Sequence, residues 1–274
     1  MSLPLVTTAA LGFVVLGATV QPRPRAAPPH RAKKLHAAPG ARPGPKARRP
    51  TLHPAGRSQA IPLKHSPGAR AEAYGALEAE ECLAELRDRQ IPFVREAPKR
   101  GVKIPVRLTG KVAGVLYRTD FPDAERANVP WEVFDCRLVL SLDDFGESLR
   151  AHSISEVRIF SAWRPPAKTW PMDEWGRRHE GALAIDVREL RKDTGEVLNV
   201  LDHFHGRLGA TQCSASGPGL QSLASPADRE LHEIVCAAAD AHIFNSILTP
   251  NYNLAHKNHF HLELTPDVDW FMLR

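Results

Sequence analysis

The first 70 residues contain no aspartate or glutamate, although they hold 12 of the 36 lysines and arginines in the chain. Residues 71–274 are left with 24 cations against 31 acids, a net charge of −7. The isoelectric point of about 9.2 therefore reflects a basic N-terminal segment attached to an acidic remainder. This uneven distribution excludes overall charge as a sign that the folded part binds nucleic acid, and we expect no nucleic-acid partner.

Cysteine is scarce, and none of the four residues lies in the first eighty positions. Their absence there excludes the usual lipid-attachment cysteine, and the absence of a CxxC pair argues against a zinc knuckle. Cys82, Cys136, Cys213 and Cys236 are far apart, which in an oxidising compartment predicts two disulfides with three allowed connectivities. We favour Cys213–Cys236, which closes a local loop and leaves Cys82–Cys136. Buried free thiols are the alternative.

Residues 1–20 lack any charged side chain and end in small residues. This composition is typical of a secretory signal peptide, with cleavage near Val20–Gln21. No lysine or arginine follows Met1, and the apolar run reaches about the 18 residues needed to span a bilayer, so an uncleaved membrane anchor is the alternative. Both interpretations predict an exported chain, periplasmic or associated with the cell envelope. Membrane contact is expected only if the segment is uncleaved.

Residues 21–70 combine eleven prolines with twelve cations and almost no large apolar side chain. Such a segment cannot bury enough surface to offset its chain entropy, so we predict a disordered linker. One interpretation is a spacer whose cations attract anionic envelope polymers or lipid headgroups. The interpretation we favour is a self-repelling tether without a partner, because runs of like charge are usually solvated.

Residues 71–274 are predicted to form one α+β domain. Apolar spacing predicts amphipathic helices near 71–90, 138–149 and 226–243. Ser225 is expected to cap the last of these, with Pro226 in its first turn. Short β-rich runs predict strands near 104–109, 112–117, 157–163, 183–187 and 259–264.

Two short segments carry side chains that ligate metals, one from His179 to Asp186 and one from His256 to His261. Zinc binds imidazole nitrogen and carboxylate oxygen, and a catalytic site keeps one position open for water. Residues two apart in a strand point to the same face, so His259 and His261 project together. We predict a zinc centre with His179, Asp186 and His261 as ligands, and with His259 or His256 close to the bound water.

Chance is the alternative explanation, because the folded segment contains nine histidines and short motifs recur by accident. His203 and His205 form a second HxH pair, which we assign to the surface or to a supporting role because no carboxylate-bearing strand obviously pairs with it. His152, His232 and His242 lie in predicted helices, and we assign them structural roles.

The string HEGALAID (179–186) resembles the HxxGxAxD segment of the metallopeptidase group that contains D-Ala-D-Ala carboxypeptidases, murein endopeptidases and hedgehog signalling domains. The string HFH (259–261) resembles the HxH of that group. Together with Cys236, the strings ECLAELRDRQIPF, PVRLT and ILTPNYNLAHKNHFHLEL resemble bacterial extensin-like C-terminal domain proteins over roughly residues 80–265. The resemblance implies a hedgehog/DD-peptidase-like single domain with a central antiparallel sheet, flanking helices and bound zinc.

Carried over residue by residue, the resemblance implies the same three ligands. It matches His256 and His259 to two further histidines that murein endopeptidases place beside the metal. Arg164 in SAWRPP falls where the group has an arginine within S-Y-R-P, used for the substrate or the metal-bound water. The alternative for Arg164 is a structural ion pair with an acid such as Glu180.

The chain departs from the pattern of the group at several positions. Arg177 stands where a serine precedes the first ligand, Trp163 replaces the tyrosine of S-Y-R-P, and Arg100-Gly101 replaces an expected Cys-Gly pair. The segment 165–178 is a long insertion that contains Trp170 and Trp175. These tryptophans and Trp163 either line a cleft or pack locally.

These observations predict a zinc-dependent metallopeptidase that hydrolyses peptidoglycan stem peptides or cross-links, of the DD-carboxypeptidase or endopeptidase type. His259 or His256 is expected to take a proton from water and pass it to the leaving amine. Arg164 is expected to stabilise the oxyanion or to hold a substrate carboxylate. The alternatives are a non-catalytic, zinc-containing wall-binding module and a structural envelope protein whose basic tail is the active part.

Overall fold

A computed structural model describes residues 70–210, 213 and 224–274. The predicted signal or anchor at 1–20, and all of the predicted linker at 21–70 except Arg70, lie outside the described residues. Across the described ranges, no helix has both the length and the apolar character needed to cross a membrane.

Within these ranges the chain is a mixed α+β structure, as the sequence predicts. The helices are α1 (Arg70–Gly75), α2 (Ala79–Asp88), α3 (Asp123–Arg126), α4 (Cys136–Ala151), α5 (Val200–His203) and α6 (Pro226–Asp240). The strands are β1 (Phe93–Arg95), β2 (Pro105–Leu108), β3 (Leu116–Arg118), β4 (Phe134–Asp135), β5 (Ile154–Ile159), β6 (Ala184–Lys192), β7 (Val197–Asn199), β8 (Ser246–Leu248), β9 (Phe260–Glu263) and β10 (Met272–Leu273).

Of the described strands, seven form a large sheet and three form a small antiparallel one in the order β1-β2-β4. The large sheet has the order β10-β8-β9-β6-β5-β3, with β7 also pairing with β6. Its central pairs β8–β9, β9–β6 and β6–β5 are antiparallel, which agrees with the expected antiparallel centre. The edge pairs β10–β8 and β3–β5 are parallel, so the sheet as a whole is mixed.

Strand β6 lies at the centre of the large sheet and is buried along most of its length. Ile185 and Val187 belong to the main hydrophobic core, together with Leu138, Leu142 and Phe145 of α4. Successive side chains of a strand point to opposite faces, so Asp186 between them faces away from this core. One strand therefore both anchors the domain and presents a carboxylate.

The predicted helix at 71–90 is wrong in its continuity, because the structure has α1 and α2 with a break at residues 76–78. Glu78 and Glu81 form a capping box that starts α2 anew, and Tyr74, Leu83 and Leu86 remain buried on either side of the break. Helix α6 begins as predicted, since the Ser225 hydroxyl accepts a hydrogen bond from the Asp228 N–H at 3.1 Å. It ends at Asp240, three residues before the predicted end.

Two predicted strands are only partly formed. Val112 and Val115 hydrogen-bond to each other across a tight turn, so the strand predicted at 112–117 begins only at Leu116. The strand predicted at 157–163 ends at Ile159, before the SAWRPP segment. In both places the β-branched residues are buried although the backbone turns, and Phe160 is 41 % exposed.

Both favoured disulfides are present, Cys82–Cys136 and Cys213–Cys236. The first joins α2 to the start of α4 across 54 positions, and the second joins Cys213 to α6 across 23 positions. Paired cysteines are typical of proteins from oxidising compartments, so the pairing indicates an exported chain.

We expect the Cys82→Ala/Cys136→Ala variant to lose about 2–4 kcal/mol of unfolding free energy, since a long loop is no longer closed in the unfolded state. Urea unfolding of the full chain without reductant measures this loss. The matched control is Cys213→Ala/Cys236→Ala, whose shorter loop predicts a loss smaller by about 1 kcal/mol or less. Unchanged unfolding in the first variant would contradict a stabilising role for the bridge.

Candidate metal centre

Asp186 is the residue around which the candidate site is built. It lies in β6, only 2 % exposed, and directly faces His261 of β9 in the antiparallel register. Residues opposite each other in such a pair have Cβ atoms about 5 Å apart, so the register alone brings the two side chains together. The predicted contact between the two sequence segments is therefore formed by strand pairing.

His179 reaches the same place from the loop that precedes β6. The loop folds tightly on itself. A Cβ on Gly181 would lie 2.3 Å from the Gly176 carbonyl oxygen, a distance that no side chain permits. Arg178 and Ala182 both have left-handed backbone, with φ of 49° and 55°. Ala182 stands at the glycine position of the HxxGxAxD pattern, so the chain keeps the backbone conformation that favours glycine without the glycine itself.

The three predicted ligands converge. His179 Nε2 lies 3.1 Å from Asp186 Oδ1, and His261 Nδ1 lies 3.0 Å from the same oxygen. One donor atom from each of the three residues lies within 4.8 Å of the other two, and all three residues are buried. Among the described residues, this is the grouping of histidine, cysteine and acidic side chains that has the spacing to hold a metal ion.

The hydrogen bonds on the far sides of the two imidazoles indicate their tautomers. His179 Nδ1 lies 2.8 Å from the Ala162 carbonyl oxygen, which can only accept, so this nitrogen carries the proton. His261 Nε2 lies 3.2 Å from Glu263 Oε2, which likewise assigns the proton to that nitrogen. In the neutral rings, two lone pairs then face one carboxylate oxygen. Only a cation or added protons relieve that repulsion, and a metal ion fits the arrangement.

The protonation of Asp186 follows from its neighbours. Burial alone raises the pKa of a carboxyl group, but when the nitrogens of His179 and His261 that face Asp186 carry protons, their hydrogen bonds outweigh burial and lower the pKa of Asp186 well below its usual range. His261 behaves in the opposite sense: burial lowers the pKa of its imidazole, while hydrogen bonds to Asp186 and Glu263 raise it overall. Asp186 is therefore an ionised ligand at neutral pH.

His259 and His256 lie beside the triad, as predicted. His259 Nε2 is 3.4 Å from Asp186 Oδ1, while its Nδ1 lies 3.0 Å from Asn258 Oδ1. His256 Nδ1 lies 2.8 Å from Asn253 Oδ1, and its ring centroid is 5.0 Å from that of His259. Both side-chain amides hold Nδ1 as a donor, which leaves Nε2 of each ring as an acceptor.

Burial is the main reason why both imidazoles stay neutral. It lowers the pKa of His259 to about 4 against the opposing charge of Asp186, and the charges of His256, His261 and Arg164 add to the lowering. Burial also lowers the pKa of His256, and the charge of His261 adds more to this lowering than that of Arg178 does.

Arg164 is close to the site, although its ion-pair partner differs from the alternative named above. Its Nη2 donates to Asp186 Oδ2, and its Nε donates to the Ser161 hydroxyl at 2.9 Å. The acid that pairs with Arg164 is thus Asp186 rather than Glu180. The side chain is still 51 % exposed, so part of the guanidinium faces solvent.

Glu263 and Arg178 are two site residues that the sequence predictions missed. Glu263 accepts from His261, and also from the Thr265 hydroxyl at 2.9 Å. Burial raises the pKa of Glu263, but the hydrogen bond with His261 and the charge of Arg178 lower it overall. The available signal was the alternation HxHxE, which places Glu263 on the same face of β9 as His259 and His261.

Exposed aromatic side chains flank the histidine row. Phe160 approaches His259 edge-on at 5.8 Å and is 41 % exposed, and Tyr252 approaches His256 edge-on at 5.4 Å and is 44 % exposed. Trp163 is instead buried in a small cluster with Val102, Val133 and Ala182. Trp170 donates to the Glu174 carbonyl within its own loop, and Trp175 is 51 % exposed.

The other histidines make structural contacts, as predicted. His203 Nδ1 accepts from the Asn199 N–H at 3.0 Å, and the His232 ring stacks on Phe204 at 4.2 Å. His152 lies 3.4 Å from Glu230, and His242 stacks on Phe271 at 3.9 Å. His205, the other member of the second HxH pair, is exposed.

We expect Glu263→Gln to weaken divalent-metal binding by about 10-fold or more, because a carboxylate behind a ligating imidazole raises its basicity and fixes its orientation. Competition titration against a chromophoric chelator measures the affinity. Glu180→Gln, an exposed change of the same kind in the ligand loop, is the control and should bind as the wild type does. Equal affinities for the two variants would exclude a supporting role for Glu263.

The chain was compared with known proteins in three ways. Comparisons with protein-family models, with curated proteins and with solved structures each found no match. The resemblance to the extensin-like and DD-peptidase groups therefore stays a prediction, and the convergence of His179, Asp186 and His261 carries the functional argument.

Proposed function

We propose that this chain is an exported zinc metallopeptidase that hydrolyses peptide bonds in peptidoglycan stem peptides or cross-links. The observation that carries the proposal is the convergence of two imidazole nitrogens, one from His179 and one from His261, on the same carboxylate oxygen of Asp186. The hedgehog/DD-peptidase-like fold and the extensin-like family belong to this proposal. They are supported by the motifs and by an antiparallel sheet centre that carries two of the three ligands.

The donor set suits zinc. Two imidazole nitrogens and one carboxylate oxygen form a common set of three protein ligands for catalytic zinc, with a fourth position left for water or substrate. His179, Asp186 and His261 would hold the ion, each already oriented by a second contact. Bound zinc supplies a Lewis acid for the scissile carbonyl and lowers the pKa of water to about 7.

His259 is the group we assign to proton transfer. Its Nε2 faces the same Asp186 oxygen as the ligand atoms do, at 3.4 Å, and Asn258 holds the opposite ring nitrogen. An imidazole oriented in this way can accept a proton from the attacking water and donate it to the leaving amine. His256, whose ring neighbours that of His259, can accept the same proton or pass it to solvent.

Arg164 has two roles in the proposal. Its bond to Asp186 Oδ2 orients the carboxylate so that Oδ1 faces the histidines. The exposed part of the guanidinium is available to stabilise negative charge on the carbonyl oxygen or to hold a substrate carboxylate.

Peptidoglycan is proposed as substrate from the export of the chain and the wall-directed resemblance. The two disulfides support export. The alternative is a wall-binding module with a zinc site and no turnover. We favour the enzyme because His256 and His259 both have an unprotonated Nε2 beside the centre, and a purely structural site has no use for such groups.

We expect the purified full chain to contain about one zinc ion, and His261→Ala to lose it, because the variant removes one of three ligands. Native mass spectrometry measures the metal content. His205→Ala is the matched control, since it makes the same change in the second His-Phe-His string, where the imidazole is exposed. Zinc retained in His261→Ala, or absent from the wild type even after zinc is added, would refute the proposed centre.

We expect His259→Ala to keep zinc and to cleave muropeptides about 10²- to 10⁴-fold more slowly than the wild type, the usual contribution of a general acid–base group. Chromatography of digested sacculi measures the rate. An inert wild type that binds sacculi as well as His259→Ala does would instead support the wall-binding module. Undiminished cleavage by His259→Ala would refute the assignment of His259 as the proton carrier.

A further inference from the structure

Arg178 lies immediately before the ligand His179 and has a left-handed backbone, with φ of 49°. This conformation is uncommon for a residue with a long side chain, and the structure maintains it through the hydrogen bond from the Leu183 N–H to the Arg178 carbonyl at 2.8 Å. The turn directs the chain so that His179 enters the site. Arg178 is therefore placed at the edge of the centre by the same loop that places a ligand.

The guanidinium of Arg178 is only partly engaged. Its Nε lies 3.3 Å from Glu263 Oε2, the carboxylate that supports His261, and the side chain remains 58 % exposed. Glu263 itself is 5 % exposed and accepts from His261 and Thr265. Buried Glu263 thus holds the Nε edge of Arg178, while the exposed remainder of its planar fork is free to bind an anion.

The two arginines flank the centre in matched ways. Arg164 is held by the buried Asp186, while Arg178 is held by the buried Glu263. Each pairs with a carboxylate that belongs to the site, and each keeps about half of its side chain exposed.

The charges of these groups leave room for a negative ligand. Two carboxylates, Asp186 and Glu263, pair with two guanidiniums, Arg164 and Arg178, so these four side chains offset one another. A divalent ion held by the ligands adds two positive charges, which these four side chains do not offset. A site with this excess favours a substrate that brings its own negative charge.

We infer that Arg178 is a specificity-determining residue, which binds a free carboxylate of the peptide substrate close to the bond that is cut, on the side of the centre where Glu263 lies. The inference rests on the proposed peptidase function and narrows its substrates to peptides with a free carboxylate near the scissile bond. The guanidinium fork matches a carboxylate in shape and can donate two parallel hydrogen bonds. A peptide with an amidated terminus cannot make this ion pair.

A positioning role through Glu263 is the competing explanation. In that case, loss of the Arg178 charge would disturb Glu263 and His261. The binding of the metal and of every substrate analogue would then change together. A docking role affects only ligands that carry a carboxylate. The two explanations therefore separate when an acid and an amide of otherwise identical structure are compared.

The experiment uses the zinc-loaded full chain and an N-acetylated D-Ala-D-Ala analogue whose peptide bond is reduced, so that it cannot be cleaved. The analogue is titrated by calorimetry as the free acid and as the C-terminal amide. We expect the wild type to bind the acid about 10-fold more tightly than the amide, the magnitude of a partly exposed charge-assisted hydrogen bond. Arg178→Gln should lose this preference, with amide binding and zinc affinity unchanged, and Arg178→Lys should keep part of it.

Arg177→Gln is the matched control, because it removes the same charge from the adjacent exposed position of the loop. It should bind both analogues as the wild type does. Equal binding of acid and amide by the wild type would overturn the inference. So would an Arg178→Gln variant that binds both analogues and zinc more weakly to the same extent. Cleavage of muropeptides without an acid preference would overturn the role of Arg178 alone. Binding of neither analogue, together with uncleaved muropeptides, would overturn the proposed function as well.

Discussion

The candidate site depends on one buried carboxylate. Asp186 lies in the central strand of the large sheet, and three imidazoles approach its Oδ1 within 3.4 Å. A carboxylate removed from water is unfavourable unless charges or donors surround it, and Arg164 and the surrounding histidines offset that cost here. The same strand contributes Ile185 and Val187 to the core, which makes the position of the carboxylate as rigid as the core itself.

Around this carboxylate the structure places supports of two kinds. A backbone carbonyl lies behind His179 and a carboxylate behind His261. Side-chain amide oxygens lie behind Nδ1 of His256 and His259. The imidazoles proposed as ligands and those proposed as proton carriers thus differ in their hydrogen-bond partners, although all four share one residue type.

The loop before β6 contains residues with unfavourable backbone conformations next to the site. Arg178 and Ala182 both lie in the left-handed region, and Gly176 and Gly181 touch backbone to backbone. Such conformations persist only where the surrounding contacts outweigh their energetic cost, and they are frequent at functional sites. Here the result is a short turn that brings a ligand and a guanidinium to the same edge.

Features that depend on local periodicity and residue chemistry could be predicted from the amino-acid sequence. Alternation put His259 and His261 on one face, helical spacing identified α4, and the chemistry of histidine and aspartate pointed to a metal. Where elements start and stop depended on contacts that periodicity does not encode, so the helix expected at 71–90 broke at the Glu78 cap and the strand expected at 112–117 opened as a turn.

Tertiary structure alone decided which distant groups meet. Arg164 reaches Asp186 because the Arg164 N–H donates to the His179 carbonyl at 2.9 Å, which joins the SAWRPP segment to the ligand loop. Arg178 reaches Glu263 because β9 pairs with β6 beside that loop, and a one-residue slip of this register would turn Glu263 to the other face.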